Sequence, residues 1–512
     1  MQLSQVVNVS EQVAATRSRL RKRNHLAECL RLTPPALRGL LVNYLTGHLP
    51  QGRIGLGPAM LRQAASGDAA VEPSLALDEV DDVFSRLAAI HGAGSQAARR
   101  DELGRLFSRA TEPERQFLLR LILGELRQGA LEGVLVEAVA DAAEIPADEV
   151  RRAVMLAGDP APVAAAALAD GRAGLGQFRL ETLSPVKPML AQPAEDMASA
   201  MSALGEAALD YKVDGARVQI HRVEERVKIF SRRLNEVTDS LPEVVEAVLA
   251  LPARSLILDG EVMALREDGR PLPFQLTMRR FGRKAQVEEM RQKLPLSLFL
   301  FDCLHWDGSD LIDRPALERF EVLAEGAPET MRVPRIVTAD PAAASAFLTQ
   351  ALEQGHEGIM AKALASPYMA GNRGAEWLKI KQTHTLDLVI LAAEWGSGRR
   401  KGWLSNLHLG ARNPADGSFV MLGKTFKGLT DKLLRWQTEQ LLAREIGREG
   451  HVVHVRPELV AEIAINDIQA SPQYPAGLAL RFARVKRYRR DKGPEEADTI
   501  DTVRQIHLNQ LA

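Results

Sequence analysis

The stretch LDYKVDGARVQIH, residues 209–221, sets one lysine, Lys212, between an aromatic residue and a Val-Asp-Gly turn. A lysine nucleophile must be a free amine. With a reference pKa near 10.4, only about one lysine in 2,500 is deprotonated at pH 7. Each unit by which a site lowers that pKa recovers about tenfold, and neighbouring cations or a bound divalent metal can supply the shift. Alone, the stretch fits an ordinary lysine at the mouth of a hairpin equally well, because Lys-x-Asp-Gly arises by chance.

The segments downstream carry charges where core strands ordinarily carry none. In LILDGEVMAL, Asp259 and Glu261 stand two apart, so they share one face of an otherwise apolar strand. Glu357 opens EGIMAK and Lys362 closes it, while WLKIK sets Lys379 and Lys381 on one face against Leu378 and Ile380 on the other. Burying an unpaired charge costs several kcal/mol or more, so such a sheet needs mutual ion pairing, a metal or a polyanionic ligand. Glu261 and Glu357 are hard oxygen donors of the kind Mg²⁺ accepts when phosphate oxygens complete its shell. Arg217, Arg232, Lys379 and Lys381 are the cations available to lower the pKa of Lys212.

These residues need elements to hold them. RVQIHR and RVKIFSRR read as a hairpin around VEER, with Val218 and Ile220 on one face and Gln219 and His221 on the other. Gly215 allows a sharp turn behind Lys212. Further two-residue periodicity in SLILDGEVMAL, LSLFLFDCLHW, HEGIMAKAL and EWLKIK, with helical SLPEVVEAVLA between, predicts an α+β unit.

Upstream, to about residue 180, the pattern is helical. TPPALRGLLVNYL predicts a helix capped by Thr33, and TEPERQFLLRLILGELRQG predicts one with a Thr111/Glu114 capping box that stops at Gly129. AGDPAPVAAAALADGRAGLGQF predicts a last helix running into a linker. From about 386, five blocks read as strands, with the helix DKLLRWQTEQLLARE before the fourth, which suits a small barrel such as an OB-fold.

Composition bounds the rest. At 512 residues about three domains are expected. The 46% hydrophobic and 26% charged fractions are those of a globular chain, and 65 Lys plus Arg against 66 Asp plus Glu leave any polyanionic partner to local clusters. One such cluster is RSRLRKR at 17–23, which fits either DNA phosphates or a solvated helix. Cys29 and Cys303 cannot build a disulfide framework or a four-cysteine zinc site, and no apolar run approaches about 18 residues. A reducing, cytoplasmic setting with no membrane partner is expected.

KVDGAR, SRRLNEVTDSLPEV, LDGEV, LFDCLHWDG, EGIMAK, WLKIK and RFARVKRYRRDK follow one another in the order and spacing that resemble the motifs of ATP-dependent DNA ligases. GELRQGALEGV resembles part of that family's helical DNA-binding domain, and SPVKPMLA the entry to its adenylation domain. The resemblance implies a multidomain protein: an all-α DNA-binding domain (1–180), an α+β nucleotidyltransferase domain (181–385) and a β-barrel OB-fold (386–512). It implies that Lys212 attacks the α-phosphate of ATP, and that the adenylate passes to the 5′-phosphate of nicked duplex DNA before the 3′-hydroxyl displaces AMP.

By the same resemblance Arg217, Arg232, Glu261, Arg373, Lys379 and Lys381 belong to the nucleotide site. Phe301 stacks on adenine, and Glu261 and Glu357 hold the divalent metal. Arg489 and Lys492 of the last motif orient the leaving pyrophosphate. Where the family usually has glutamate two residues before the nucleophile, in a region that contacts adenine, this chain has Asp210. An RNA ligase or capping enzyme would share the lysine motif, and a non-catalytic DNA clamp would share the three domains. The helical N-terminal region and the basic last motif favour DNA, and retention of Lys212, Glu261, Glu357 and Lys379 favours an enzyme. A monomer is expected. Roles in replication, repair or recombination, and partners such as a sliding clamp, are not legible.

Overall fold

The computed structural model describes all residues except 53, 93, 127–131, 283, 284, 371–373, 382, 383 and 512. The N-terminal region consists of helices Leu3–Ala15, Arg19–Leu32, Arg38–Thr46, Pro58–Ala64, Leu77–Ala89, Ser95–Arg109, Glu112–Ile122, Glu132–Ala143, Ala147–Ala157 and Pro160–Leu175. Their apolar stripes share one core. In Leu77–Ala89 the buried residues are Leu77, Val80, Val83, Phe84 and Leu87, the spacing of a single helix face. Among the described residues, no helix is long and apolar enough to cross a membrane.

The capping box forms as the sequence predicts: Thr111 and Glu114 satisfy each other's backbone donors. Its helix stops sooner than expected. Gly124 takes a left-handed φ of 67°, and the Glu125 N–H closes back on the Arg120 carbonyl at 2.7 Å, so the chain turns before Gly129, which lies outside the described residues. Thr33 is also reassigned. It ends the preceding helix, with its hydroxyl on the Cys29 carbonyl at 2.7 Å, and a short 3₁₀ turn at Pro35–Leu37 intervenes before Arg38–Thr46. Within RSRLRKR, Arg17, Arg19 and Arg23 pair with Asp431, Glu137 and Asp141 respectively. Those three arginines therefore serve contacts within the chain, and the first of them reaches the C-terminal region.

The middle region contains strands β1 (Gln192–Pro193), β2 (Ala207–Tyr211), β3 (Ala216–Val223), β4 (Arg226–Ser231), β5 (Ser255–Ala264), β6 (Leu296–Trp306), β7 (Ser309–Asp310), β8 (Arg335–Thr338), β9 (Gly358–Ala363) and β10 (Trp377–Lys381). They form two five-stranded sheets, ordered β1-β10-β9-β2-β8 and β4-β3-β5-β6-β7. The predicted hairpin is β3–β4, closed by a two-residue turn. Val218 and Ile220 enter the apolar core of the second sheet. Gln219 and His221 hold the linker instead: Gln219 exchanges hydrogen bonds with the Val186 backbone at 2.8 and 3.2 Å, and the Leu183 N–H donates to His221 Nδ1 at 3.1 Å.

Between the sheets lies an apolar layer that includes Met155, Met189, Val213, Phe301, Tyr368 and Trp377. It brings a residue from the last N-terminal helices together with residues from both sheets. Phe301 is the extra residue of a β-bulge, because β5 pairs Asp259 with Asp302 and then Gly260 with Leu300.

The C-terminal region is β-rich, with more strands than the five the sequence suggests. They are β11 (His384–Trp395), β12 (Leu404–Arg412), β13 (Phe419–Thr425), β14 (Glu445–Glu449), β15 (Val452–Val455), β16 (Val460–Ile465), β17 (Asp467–Ala470), β18 (Leu478–Arg481) and β19 (Arg484–Tyr488). Two blocks read as single strands each divide. Pro457 cannot donate to a ladder and separates β15 from β16, and Phe482, at φ 56°, separates β18 from β19. The predicted helix is Asp431–Leu442, and a further helix, Ile500–Leu511, packs its Ile500 and Val503 into this core.

Candidate active site

Lys212 follows β2 directly, and its backbone extends the β2–β9 ladder. Its N–H donates to the Gly358 carbonyl at 2.8 Å, and the Glu357 N–H donates to the Lys212 carbonyl at 3.1 Å. This pairing puts the two side chains in contact: Lys212 Nζ forms an ion pair with Glu357 Oε2, and Lys381 Nζ donates to Glu357 Oε1 at 2.7 Å. The close approach depends on glycine. A Cβ on Gly358 would stand 2.1 Å from the Ile380 carbonyl oxygen, and one on Gly215 would stand 2.3 Å from that of Val262. The Gly215 N–H in turn donates to Glu261 Oε1 at 3.1 Å, which ties the Val-Asp-Gly turn to β5.

Carboxylates, rather than the expected cations, dominate the surroundings of Lys212. Burial pushes its pKa down, but Glu357, Glu261 and Asp214 together outweigh burial and hold the amine above its ordinary value. The expectation that neighbouring cations free this amine is therefore corrected: the nearest charges are carboxylates, and they keep it protonated. Lys381 shows the opposite balance: burial and the charge of Lys212 hold it below the usual lysine range. Burial raises Glu261 to about 7, and burial with the charge of Glu357 raises Asp214. Glu357 is also buried, yet Lys212 and Lys381 keep it low.

Three carboxylates thus crowd two lysines, and two of the three are raised. A dication relieves such crowding, so the donor set fits Mg²⁺. Among the described residues, no three His, Cys, Asp or Glu side chains already form a metal cage. Oxygens from the substrate would have to complete the shell.

A second cluster lies on the neighbouring strands. Arg217 makes a two-point contact with Asp259, at 3.0 and 2.6 Å, and Tyr368 Oη donates to the same carboxylate at 2.7 Å. The Arg217 guanidinium carbon is 5.3 Å from the centre of the Phe301 ring. Phe301 itself is 9% exposed and packs edge-on to Trp377 at 6.1 Å, at once part of the inter-sheet layer and beside the site's cations. Arg232 lies exposed in the turn after β4, lining a recess with Arg217, Asp259 and Val186.

Asp210 is 1% exposed. It accepts from Arg335 at 2.5 and 2.8 Å and pairs with Lys362 at 2.7 Å, and these cations hold it below the usual carboxylate range despite burial. Arg335 and Lys362 also donate to the Phe301 carbonyl, at 2.8 and 3.3 Å. They link the residue two before Lys212 to the bulge on the opposite sheet.

Lys379 shares the Lys381 face of β10, as predicted, with Leu378 and Ile380 packed behind. Arg373 lies outside the described residues. Arg489 and Lys492 are not brought to Lys212: both donate to Asp387 Oδ2 of β11, at 2.8 and 2.7 Å. Another basic residue of that tail is brought there. Arg481 reaches Asp214 at 3.6 Å and Asp467 at 3.1 Å, and its guanidinium lies 5.3 Å from the ring centres of Phe274 and Phe482.

Lysines and carboxylates thus converge around Lys212, a charge balance that a metal-bound anion would complete. Residues 188–381 match the family model "ATP dependent DNA ligase domain", 400–492 match "ATP dependent DNA ligase C terminal region", and 59–140 match "DNA ligase N terminus". A "Probable DNA ligase" of Anaeromyxobacter sp. (strain Fw109-5) is 61% identical over all of this chain and 99% of its own. The chain belongs to the ATP-dependent DNA ligase family.

A "Probable DNA ligase" of Sorangium cellulosum (strain So ce56) is 53% identical over the whole of this ligase and 96% of that protein. Among solved structures, "Pmar-Lig_Pre." matches the fold with a TM-score of 0.64 at 18% identity, over 95% of the ligase and 99% of that chain. The resemblance in the ordered motifs is thus borne out, together with a multidomain fold that has a helical N-terminal and a β-rich C-terminal region. ATP use follows from the family.

Sequence reasoning passed over Tyr368, Arg335 and Arg481 as site residues. Arg481 carried a signal, being the first basic residue of the quoted tail. Tyr368 and Arg335 carried none, because only the fold reveals that they are held against buried charge.

Proposed function

We propose that this ligase seals nicks in duplex DNA, with Lys212 as the residue that becomes adenylated. The observation that carries the reading is the Lys381–Glu357–Lys212 chain at the mouth of β2, next to Glu261. In the first step the free amine of Lys212 attacks the α-phosphorus of ATP. A phosphoramidate forms, the α–β phosphoanhydride breaks, and pyrophosphate leaves. The nick's 5′-phosphate then takes the adenylyl group and releases the lysine. Finally the 3′-hydroxyl attacks that phosphate, expels AMP and closes the strand.

Lys379 and Lys381 supply positive charge where the phosphates carry negative charge, and Arg217 and Arg232 line the nucleotide recess. Phe301 offers its ring to adenine, and Arg373 belongs to the same nucleotide site. Asp210 is engaged by two cations, which favours base contact from its backbone over contact from its carboxylate. Glu261 and Glu357 would hold Mg²⁺. When bound, the metal would neutralise these carboxylates and the triphosphate.

We read residues 1–180 as an all-α DNA-binding domain, 181–385 as the adenylation domain and 386–512 as an OB-fold, acting as a cytoplasmic monomer. Arg489 and Lys492 would orient pyrophosphate after the C-terminal domain turns toward the site. The Arg481–Asp214 contact supports a placement in which that domain already meets Lys212's turn.

Incubation with α-labelled ATP is expected to label the full chain covalently, and Lys212→Ala is expected to abolish the label. Label that survives the substitution would overturn the assignment. Replacing ATP with GTP or NAD⁺ tests the nucleotide, and DNA, RNA and hybrid nicks test the second substrate.

A further inference from the structure

Tyr368 stands between β9 and β10, is 1% exposed, and packs edge-on to Trp377 at 6.0 Å. Its backbone N–H donates to the Ile312 carbonyl at 2.9 Å, which pins the segment to the end of the opposite sheet. A phenolic hydroxyl offers one donor and two acceptor sites, and here all three are used. It donates to Asp259 Oδ2 at 2.7 Å and accepts from Arg217 Nη2 at 3.1 Å and from the Met189 N–H at 3.0 Å.

The guanidinium it touches is nearly saturated. Arg217 gives Nε to Asp259 Oδ1 at 3.0 Å, Nη1 to the Met189 carbonyl at 2.7 Å, and Nη2 to both Asp259 and Tyr368. A planar guanidinium held on three sides cannot rotate without breaking charge-assisted hydrogen bonds. Asp259 alone fixes one edge. Tyr368 and the Met189 backbone fix the others, and Tyr368 also joins that backbone to the cluster.

We propose that Tyr368 is a positioning residue for the adenylation step: its hydroxyl sets the orientation of Arg217 and fastens the 186–189 linker segment beside it, so ATP meets a cation already in place. This rests on the assignment of Arg217 to the nucleotide site. Preorganisation of this kind is felt in substrate binding, because the unlocked side chain must be ordered when ATP arrives.

Tyr368→Phe keeps the ring packing and removes only the hydroxyl. In the full chain, measured by covalent label from α-labelled ATP, it is expected to raise KM for ATP about tenfold while kcat changes less than about threefold. Combined with Arg217→Lys, which cannot hold the forked geometry, the same change is expected to add less than about twofold. A Tyr368→Phe enzyme whose KM stays within about twofold of the parent overturns the proposal. So does an equal effect in both backgrounds, since the hydroxyl would then act independently of Arg217. Should the parent chain take no label at all, the nucleotide reading itself fails and the role of Tyr368 fails with it; a labelled parent with an indifferent Tyr368→Phe removes the second claim alone.

Discussion

Glu357→Gln is the substitution that most directly separates the two halves of the proposed nucleophile's environment. Glu357 contacts both Lys212 and Lys381, and Lys212 is held protonated chiefly because Glu357 and Glu261 outweigh its burial. A hydrogen bond to a charged partner contributes roughly 1.5–3 kcal/mol. Losing the Glu357 charge lowers the Lys212 pKa, and that free energy, at about 1.4 kcal/mol per tenfold, corresponds to a free-amine fraction raised about 10- to 100-fold at fixed pH. The amide would also leave the ammonium groups of Lys212 and Lys381 facing each other with one carboxylate fewer, which pushes in the same direction.

The quantity is measurable without turnover. Acylation of individual lysines by a small amine-directed reagent, read by peptide mass spectrometry between pH 7 and 9 with no nucleotide or metal added, reports each amine's free fraction. Exposed Lys432 calibrates the reagent, and buried Lys362 must stay unreactive, which guards against mistaking unfolding for a pKa change. Lys212 is expected to react faster in Glu357→Gln than in the parent. An unchanged or slower rate, with Lys362 still protected, would refute the argument that carboxylates hold this amine charged.

Two further outcomes concern stability. Asp259→Ala would leave the Arg217 guanidinium largely buried without its carboxylate, and a loss of about 3–5 kcal/mol in denaturant unfolding is expected; a loss below about 1 kcal/mol would show that Tyr368 and Met189 suffice for Arg217. Glu261 has a native pKa raised to about 7, above its unfolded value near 4.5, so the native state binds more protons than the unfolded state between those values. Stability from this group is full below about pH 4.5 and is lost as pH rises through about 7, by at most roughly 3.5 kcal/mol. Glu261→Gln is expected to flatten that part of the stability profile in metal-free buffer, and an unaltered slope would count against a raised Glu261.

Local chemistry decided much of what the chain reveals before folding. A Thr-Glu pair three apart satisfies its own backbone donors, so the capping box at Thr111 forms wherever its helix packs. Two-residue periodicity places Asp259 with Glu261, and Lys379 with Lys381, on common faces whatever the partner strand, because successive side chains alternate across any strand. The order of motifs around Lys212 sufficed for the family. Misreadings arose where two local signals competed: Thr33 could end one helix or begin the next, and the run through Arg456 and Pro457 could be one strand or two.

What the chain could not reveal is which charges meet across the sheets. That Arg335 and Lys362 neutralise Asp210 depends on β2, β8 and β9 being neighbours, and the bulge at Phe301 turns its carbonyl toward them. That Tyr368 touches Asp259, more than a hundred residues away, depends on the inter-sheet layer closing. The sign of the Lys212 shift is likewise a tertiary property. Residue types alone offered cations to lower its pKa, but electrostatic energy falls with distance and rises with burial, and the fold put carboxylates nearest.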